Sequence, residues 1–371
     1  MGILAVACLG YLAFTTVDNN TATVIAGKAY NATVYVAGHG GHFAKADVTI
    51  DPNNSENPIK VNNLDKVDIG DTKTHKTHDA RIDSANRDTM FWSTYALDPQ
   101  GKMHVGKSDL KSGKVIKDLA IDPDPRAPGK TGPLYCASGQ TKSTFMPVFM
   151  GKEAYVDVYD KASMERKHRV FLSDLGYKPD TYMFLHGINS NDMKKFVLAV
   201  TMIGADKKPN GKNDIILVDL ASLEKGKLKE LAKVTLTGEP GKTITFRQYF
   251  SNDNKYIFQS AGDRIYVLDA ATLKIVDEKM TTAGQAHDAM PSPDGNYALV
   301  TLRTSDTIGC DPEGKALVPE KKITDGVLTL YDVKAKKIVG KPSSVCFACH
   351  KGMGLGDKTA ILCGLDANYK K

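Results

Sequence analysis

The sequence predicts an all-β fold in which four-stranded units repeat around a central channel, a β-propeller, and three observations predict it. A strand-like phrase with alternating apolar positions recurs six times and closes each time on an aspartate before a turn: Ala46–Asp51, Met103–Asp109, Ala154–Asp160, Asp214–Asp219, Arg264–Asp269 and Gly326–Asp332. The aspartates stand 58, 51, 59, 50 and 63 residues apart, and a four-stranded unit recurring at such an interval is the signature of propeller blades. Second, Ser190-Asn191-Asp192, Ser251-Asn252-Asp253 and Ser292-Pro293-Asp294 each lead into an apolar strand. That is turn chemistry, with short polar side chains bonding the local backbone between the innermost strand and its neighbour. Third, 371 residues exceed the usual size of one core unless the chain is a repeat or a large all-β architecture.

Taken in chain order, Met1 to Val17 are apolar and uncharged, like the core of an export signal or a short anchor, although no lysine or arginine precedes them. A buried strand is the alternative reading, and Leu4-Ala5-Val6-Ala7-Cys8 faintly resembles a lipoprotein cleavage site. Residues 18–371 then read as a single propeller domain. Short turns and outer strands follow several of the phrases, as at Lys114-Val115-Ile116, Lys274-Ile275-Val276 and Lys337-Ile338-Val339. The strands Thr21–Ile25 and Thr33–Val36, paired with Thr359–Cys363 near the C-terminus, are expected to complete a last blade, close the ring and remove exposed sheet edges. Seven blades are expected; six or eight also fit, because the first copy is irregular. The Pro-rich 122–128 and the Gly/Lys-rich 204–213 read as surface loops.

Composition excludes several classes. Forty-two per cent hydrophobic and 25% charged residues describe an ordinary globular chain. The net charge of +6 is dispersed without a basic run, which argues against nucleic acid and allows a diffuse preference for acidic partners. Beyond Val17 no apolar run is long enough to span a bilayer.

The chemistry-bearing motif is Cys346-Phe347-Ala348-Cys349-His350. Two thiols spaced this way form thioether bonds to the vinyl groups of a haem, and the adjoining His350 supplies the proximal iron ligand. A redox disulfide would open a helix in a strand-helix-strand unit, which is missing, and a zinc site would need a second Cys-x-x-Cys, which is also missing. The expected cofactor is one covalent haem c. Covalent haem attachment takes place outside the cytoplasm, so a periplasmic or extracellular location is expected, with membrane association through the N-terminal segment if it is retained.

The alternation of phrases resembles YVTN-type propellers and is similar to the propeller domains of cytochrome-type nitrite reductases and of quinoprotein amine dehydrogenase heavy chains. The resemblance covers nearly the whole chain and rests on repeat phrases that many functions share, so it implies the fold far more than an activity.

His287-Asp288-Ala289-Met290 and His350-Lys351-Gly352-Met353 align, each histidine seven residues before an aspartate, and His78-Asp79-Ala80 repeats the first of these. His186 lies six residues before Asp192. Innermost strands begin on the rim of the channel, so His78, His186, His287 and His350 are expected to point into one funnel. The loop Gly38-His39-Gly40-Gly41-His42 is expected to open on the same face. Met353 lies too close to His350 to reach the opposite face of the haem. The second axial ligand is therefore expected from another blade, from His287, His186 or His39, with His42, Met290 and Met146 as alternatives and core filling as the ordinary role of the methionines. His104 and His168 read as polar surface; His75 is open. Of Cys8, Cys136, Cys310 and Cys363, the pair Cys136 and Cys310 could form a disulfide in an exported protein. The function expected is that of a monohaem electron carrier working with a redox partner protein or other cytochrome subunits. The alternative is an oxidoreductase acting on a small molecule such as a nitrogen oxide.

Overall fold

In the computed structural model, residues 27–37, 40–71, 73–127, 135–281, 284–303, 326–345 and 364–370 are described. They form six four-stranded antiparallel sheets, the blades of a propeller. Blade 1 combines Leu365–Tyr369 with Tyr30–Ala37, His42–Ile50 and Ile59–Asp68. Blades 2 to 6 take their strands in chain order from 77–121, 135–171, 182–237, 248–280 and 285–344, innermost strand first.

Six of the recurring phrases are the third strands of the six blades, and their aspartates organise the turn that follows. Asp109, Asp160 and Asp269 accept from the backbone N–H of Ser112, Ser163 and Thr272 at 2.6, 2.8 and 2.7 Å. Asp219 caps the short helix Leu220–Glu224 by accepting from Ser222 N–H at 2.8 Å. Each Ser-x-Asp turn closes on itself, with the Ser190, Ser251 and Ser292 hydroxyls donating to Asp192, Asp253 and Asp294 at 2.6–2.7 Å.

Among the described residues the blades number six, not the favoured seven. The first phrase and the C-terminal strand were expected to anchor separate blades; they share one. Leu365–Tyr369 pairs with Tyr30–Ala37, Val36 opposite Leu365 and Ala32 opposite Tyr369. Thr21–Ile25 and Thr359–Cys363 lie outside the described residues, as does the apolar segment 1–17. Among the described residues no helix is long and apolar enough to cross a membrane.

Packing explains why the middle strands are apolar on both faces. Alternate residues of a strand point to opposite sides of its sheet, and each blade is covered on both sides by its neighbours. In blade 4, Phe196, Leu198 and Val200 pack against blade 3, whereas Val197 and Ala199 pack against blade 5. Six such clusters fill the six gaps between blades. Outer strands keep the two-residue alternation, leaving Ile116, Ile275 and Met280 exposed.

The two ends of the chain therefore hold the ring shut through a buried cluster that includes Val34, Val36, Leu365 and blade 6 residues Leu299 and Leu330. Leu365→Ala should cost about 2–5 kcal/mol in chemical denaturation, against at most about 0.5 kcal/mol for the exposed Leu231→Ala. Equal, small effects would contradict closure through this strand.

Candidate functional site

The innermost strands of blades 2, 4 and 6, Thr77–Ile82, Tyr182–Asn189 and Gln285–Pro291, each bring one histidine to the same end of the channel. His78, His186 and His287 thus converge from alternate blades, as their repeat positions predict. The ring centroids of His78 and His186 lie 6.4 and 6.1 Å from that of His287. With Tyr95, Phe184, Phe246 and Arg303 they line a cavity of about 100 Å³. Phe246 leans on His287 at 4.7 Å and on His186 at 5.9 Å.

Beneath the histidines the channel is closed by a charged cluster. Arg247, just before the innermost strand of blade 5, reaches across the ring to Asp79 of blade 2 at 2.9 Å and to Asp288 of blade 6 at 3.2 Å. All three side chains are fully buried. Asp288 also accepts from Leu365 N–H at 2.8 Å, and the single hydroxyl proton of Tyr249 is shared between Asp288, 3.0 Å away, and the Leu365 carbonyl. Cys136 of blade 3 donates its thiol proton to Asp79. Gln248 donates to the carbonyl of His186 at 3.4 Å, so every blade touches the cluster or its immediate neighbours. Gly364 passes so close that a Cβ would lie 1.6 Å from Asp79 Oδ1, and no larger residue fits there.

The hydrogen bonds assign different characters to the three imidazoles. His78 Nδ1 donates to the Tyr135 carbonyl at 2.5 Å, and His287 Nδ1 donates to Asp288 at 2.6 Å; in the neutral form each leaves Nε2 as the free base. His186 Nδ1 is buried with no hydrogen-bond partner among the described residues. Burial holds His78 below its usual titration range, and burial together with His287, His78, Arg247 and Arg303 holds His186 well below it. Burial opposes the charge on Arg247, but Asp288 and Asp79 more than offset this and keep it ionised. Burial would raise the Asp288 carboxyl, yet Arg247 and the His287 hydrogen bond bring it below the ordinary range. His78, Asp79 and Cys136 place donor atoms within 4.8 Å of one another. Burial and the Asp79 charge push the thiol pKa well up, however, and Asp79 is committed to Arg247, so this trio is a hydrogen-bond network and not a metal cage.

Other expected residues fall elsewhere. Cys346, Cys349, His350, Met353 and His39 lie outside the described residues. Ala37 N–H donates to the Gly364 carbonyl at 2.9 Å, and Gly364 N–H donates to the His78 carbonyl at 3.3 Å, so the strand leading into the 38–41 loop reaches the histidine end of the channel. His42 is buried in blade 1. Met290 lines the opposite mouth, a cavity of about 550 Å³, and Met146 fills the core between blades 3 and 4. Cys136, expected in a loop, is a free buried thiol in an innermost strand, and Cys310 lies outside the described residues. His168 is exposed as expected. His104 is not polar surface: it is 7% exposed and bound to Asp98 and Asp118, because its β-strand side chain turns inward toward the loop that carries His75.

Arg247, Asp79 and Asp288 were not anticipated. The repeated His-Asp-Ala carried the signal, since the two aspartates clamp the same guanidinium; Arg247 itself sits in no repeated phrase.

No family model and no curated protein matches the chain. Solved structures do. A protein of unknown function from Bacteroides caccae is 10% identical with a TM-score of 0.51, the alignment covering 91% of this chain and 98% of that one. A chain of the nidogen/laminin complex is 10% identical with a TM-score of 0.53, at 91% and 98% coverage. Kuenenia stuttgartiensis hydrazine synthase is 13% identical with a TM-score of 0.47, covering 94% of this chain and 83% of that one. At these identities the first two likenesses establish the propeller fold and nothing finer, and the YVTN-type resemblance likewise extends to the fold alone.

Two outcomes follow. Arg247→Leu strands two buried carboxylates and should cost about 3–5 kcal/mol; adding Asp79→Asn and Asp288→Asn should recover part of that loss in urea titrations. If the single and triple variants are equally stable, the charge pairing is not what holds the cluster. Second, unfolded histidine titrates near about 6.5, whereas folded His186 titrates lower. The unfolded state therefore takes up protons first as pH falls below that value. The contribution of His186 to stability is intact above it and declines toward pH 5, by at most about 1.4 kcal/mol per pH unit. His104 is shifted upward, burial opposing but Asp118 and Asp98 prevailing, and so acts in the opposite sense; its contribution is complete below the unfolded pKa and is lost as pH rises through the folded one. The difference between wild type and His186→Gln isolates the first group. The variant should show the shallower loss between pH 7 and pH 5, and parallel curves would refute a neutral buried His186.

Proposed function

We propose that this chain is an extracytoplasmic monohaem c-type cytochrome built on a propeller, carrying electrons within a larger redox assembly. The observation that carries the reading is a juxtaposition. Cys346-Phe347-Ala348-Cys349-His350 precedes Gly364 by fourteen residues or more in the chain, and Gly364 N–H is hydrogen-bonded to the His78 carbonyl beside the three converging imidazoles.

The residues fit a haem ligated from a second blade. Metal-binding histidines usually donate their other ring nitrogen to a carbonyl or carboxylate, as His78 and His287 do. His287 would be the preferred residue to hold the iron, because Asp288 fixes its Nδ1–H and leaves the Nε2 lone pair available; His186 lacks that support. A cavity of about 100 Å³ holds a few waters and is too small for a porphyrin. When bound, the haem supplies a one-electron iron couple. The protein's own contribution is rigidity, since a ligand held by a closed ring and a buried charge cluster moves little between oxidation states. Redox partner proteins or further cytochrome subunits would deliver and remove electrons, outside the cytoplasm where haem c is attached.

A second reading, an oxidoreductase acting on a small molecule such as a nitrogen oxide, is favoured by the cavity wall itself. Arg303 provides a cation and His78 and His186 are neutral, a combination suited to a small anion and to proton delivery.

Haem should remain with the chain on a denaturing gel and disappear in Cys346→Ser/Cys349→Ser; haem lost from the wild type on denaturation would overturn the proposal. Optical spectra of His287→Ala should move from low-spin toward high-spin. A wild type that is already high-spin supports catalysis at an open iron instead. Unchanged low-spin spectra in His287→Ala, His186→Ala, His78→Ala and a His39 variant would exclude a ligand from these histidines.

A further inference from the structure

The same end of the propeller carries a second cluster of ligand-type side chains, outward from the channel in blade 2. His75 precedes the innermost strand, His104 begins the third strand and Asp118 lies on the outermost strand, Val115–Ile121. Their donor atoms lie within 4.8 Å of one another. His75 Nε2 stands 3.0 Å from Asp118 Oδ2, and His104 Nδ1 stands 3.0 Å from Asp118 Oδ1. Donors around one ion at about 2.0–2.1 Å are separated by roughly 3.3 Å in tetrahedral geometry, so small adjustments would admit a metal between them.

We propose that His75, His104 and Asp118 bind a divalent transition-metal ion, zinc foremost, as a two-histidine, one-carboxylate site distinct from the channel. Beyond the three donors, the ring nitrogens facing away from Asp118 are also provided for. His75 Nδ1 lies 2.7 Å from the Thr74 hydroxyl, and His104 Nε2 lies 3.2 Å from Asp98 Oδ2. These outer partners fix tautomers with the lone pairs of His75 Nε2 and His104 Nδ1 directed at the ion, the support that metal-binding histidines ordinarily have. The rings are also held in place. His75 and His104 are 9% and 7% exposed, with centroids 4.2 Å apart, and Gly70 packs so tightly that a Cβ would come 2.3 Å from His75 Nδ1. Asp118 is the accessible member, its side chain one-third exposed, which gives an ion an approach from solvent. Imidazole and carboxylate donors with positions left open suit zinc or ferrous iron better than calcium or magnesium.

Zinc chloride is the probe. Tag-free protein freed of metal with a chelator and titrated calorimetrically should take up one zinc per chain and melt at a higher temperature with the ion than without it. Asp118→Asn and His75→Gln should weaken binding at least tenfold. Asp98→Asn and Thr74→Val, which remove only outer partners, should weaken it by roughly 10- to 100-fold at most and serve as the test should an inner-ligand variant fail to fold. His186→Gln, in the channel, should bind zinc as the wild type does. No saturable uptake, or uptake indifferent to Asp118→Asn and His75→Gln, would overturn the proposal and leave the cluster a network of histidine–aspartate ion pairs. Uptake abolished by His186→Gln would place the metal in the channel and equally refute it.

Discussion

The guanidinium of Arg247 between Asp79 and Asp288 is the interaction on which the centre of this molecule depends. A propeller builds its cores between blades and leaves a channel where the innermost strands meet; something polar must fill it, because those strands bring backbone and side-chain polar groups inward. Three fully buried ionic groups are costly to desolvate, and such a cluster adds little net stability over apolar packing of the same shape. Its value is positional. Arg247 lies opposite one carboxylate and beside the other, so the registers of blades 2, 5 and 6 are mutually specified, and Tyr249 together with Leu365 N–H extends the specification to the C-terminal strand that closes the ring.

Most of the fold was legible because its physics is local. The aspartate ending each third strand is required by the turn after it, and the Ser-x-Asp pieces by the turn between first and second strands; both contacts form within five residues and leave a mark wherever the blade recurs. The blade count was less legible: that strands from near both termini join in one closing blade was expected, but not that the first phrase is the third strand of that same blade. Ala46–Asp51 reads as the third strand of a separate blade, and only the pairing of His42–Ile50 with Tyr30–Ala37, and of Tyr30–Ala37 with Leu365–Tyr369, shows that one blade holds them all.

The site divides along the same line. His78, His186 and His287 were legible from repeat-equivalent placement, since residues at the start of innermost strands must share a face. Arg247 was not, because one arginine serves two aspartates and so follows no repeat. His104 was misread for a related reason: a histidine beside an outer strand normally meets water, but the His75 loop and Asp98 fold over it, and loops are where repeats diverge most. Cys136 lacked any turn or strand phrase to mark it as interior.

One residue type serves two chemistries within this small cavity, and the buried charge decides which. Two carboxylates face one guanidinium, so the cluster carries an excess of negative charge that Asp79 disperses onto Cys136 and Asp288 onto Tyr249, Leu365 N–H and His287. An imidazole that donates to a carboxylate has a more electron-rich opposite nitrogen, suited to a metal or a proton. Among the described residues His186 faces no carboxylate; it has cationic and imidazole neighbours and an Nδ1 with no partner there, so it stays neutral and acts as wall. The field of the three charged groups contributed by blades 2, 5 and 6 thereby distinguishes His287 from His186, although their places in the repeat are nearly equivalent. Repeat position determines where a histidine points, and the non-repeating Arg247 and its two aspartates determine what it can do there.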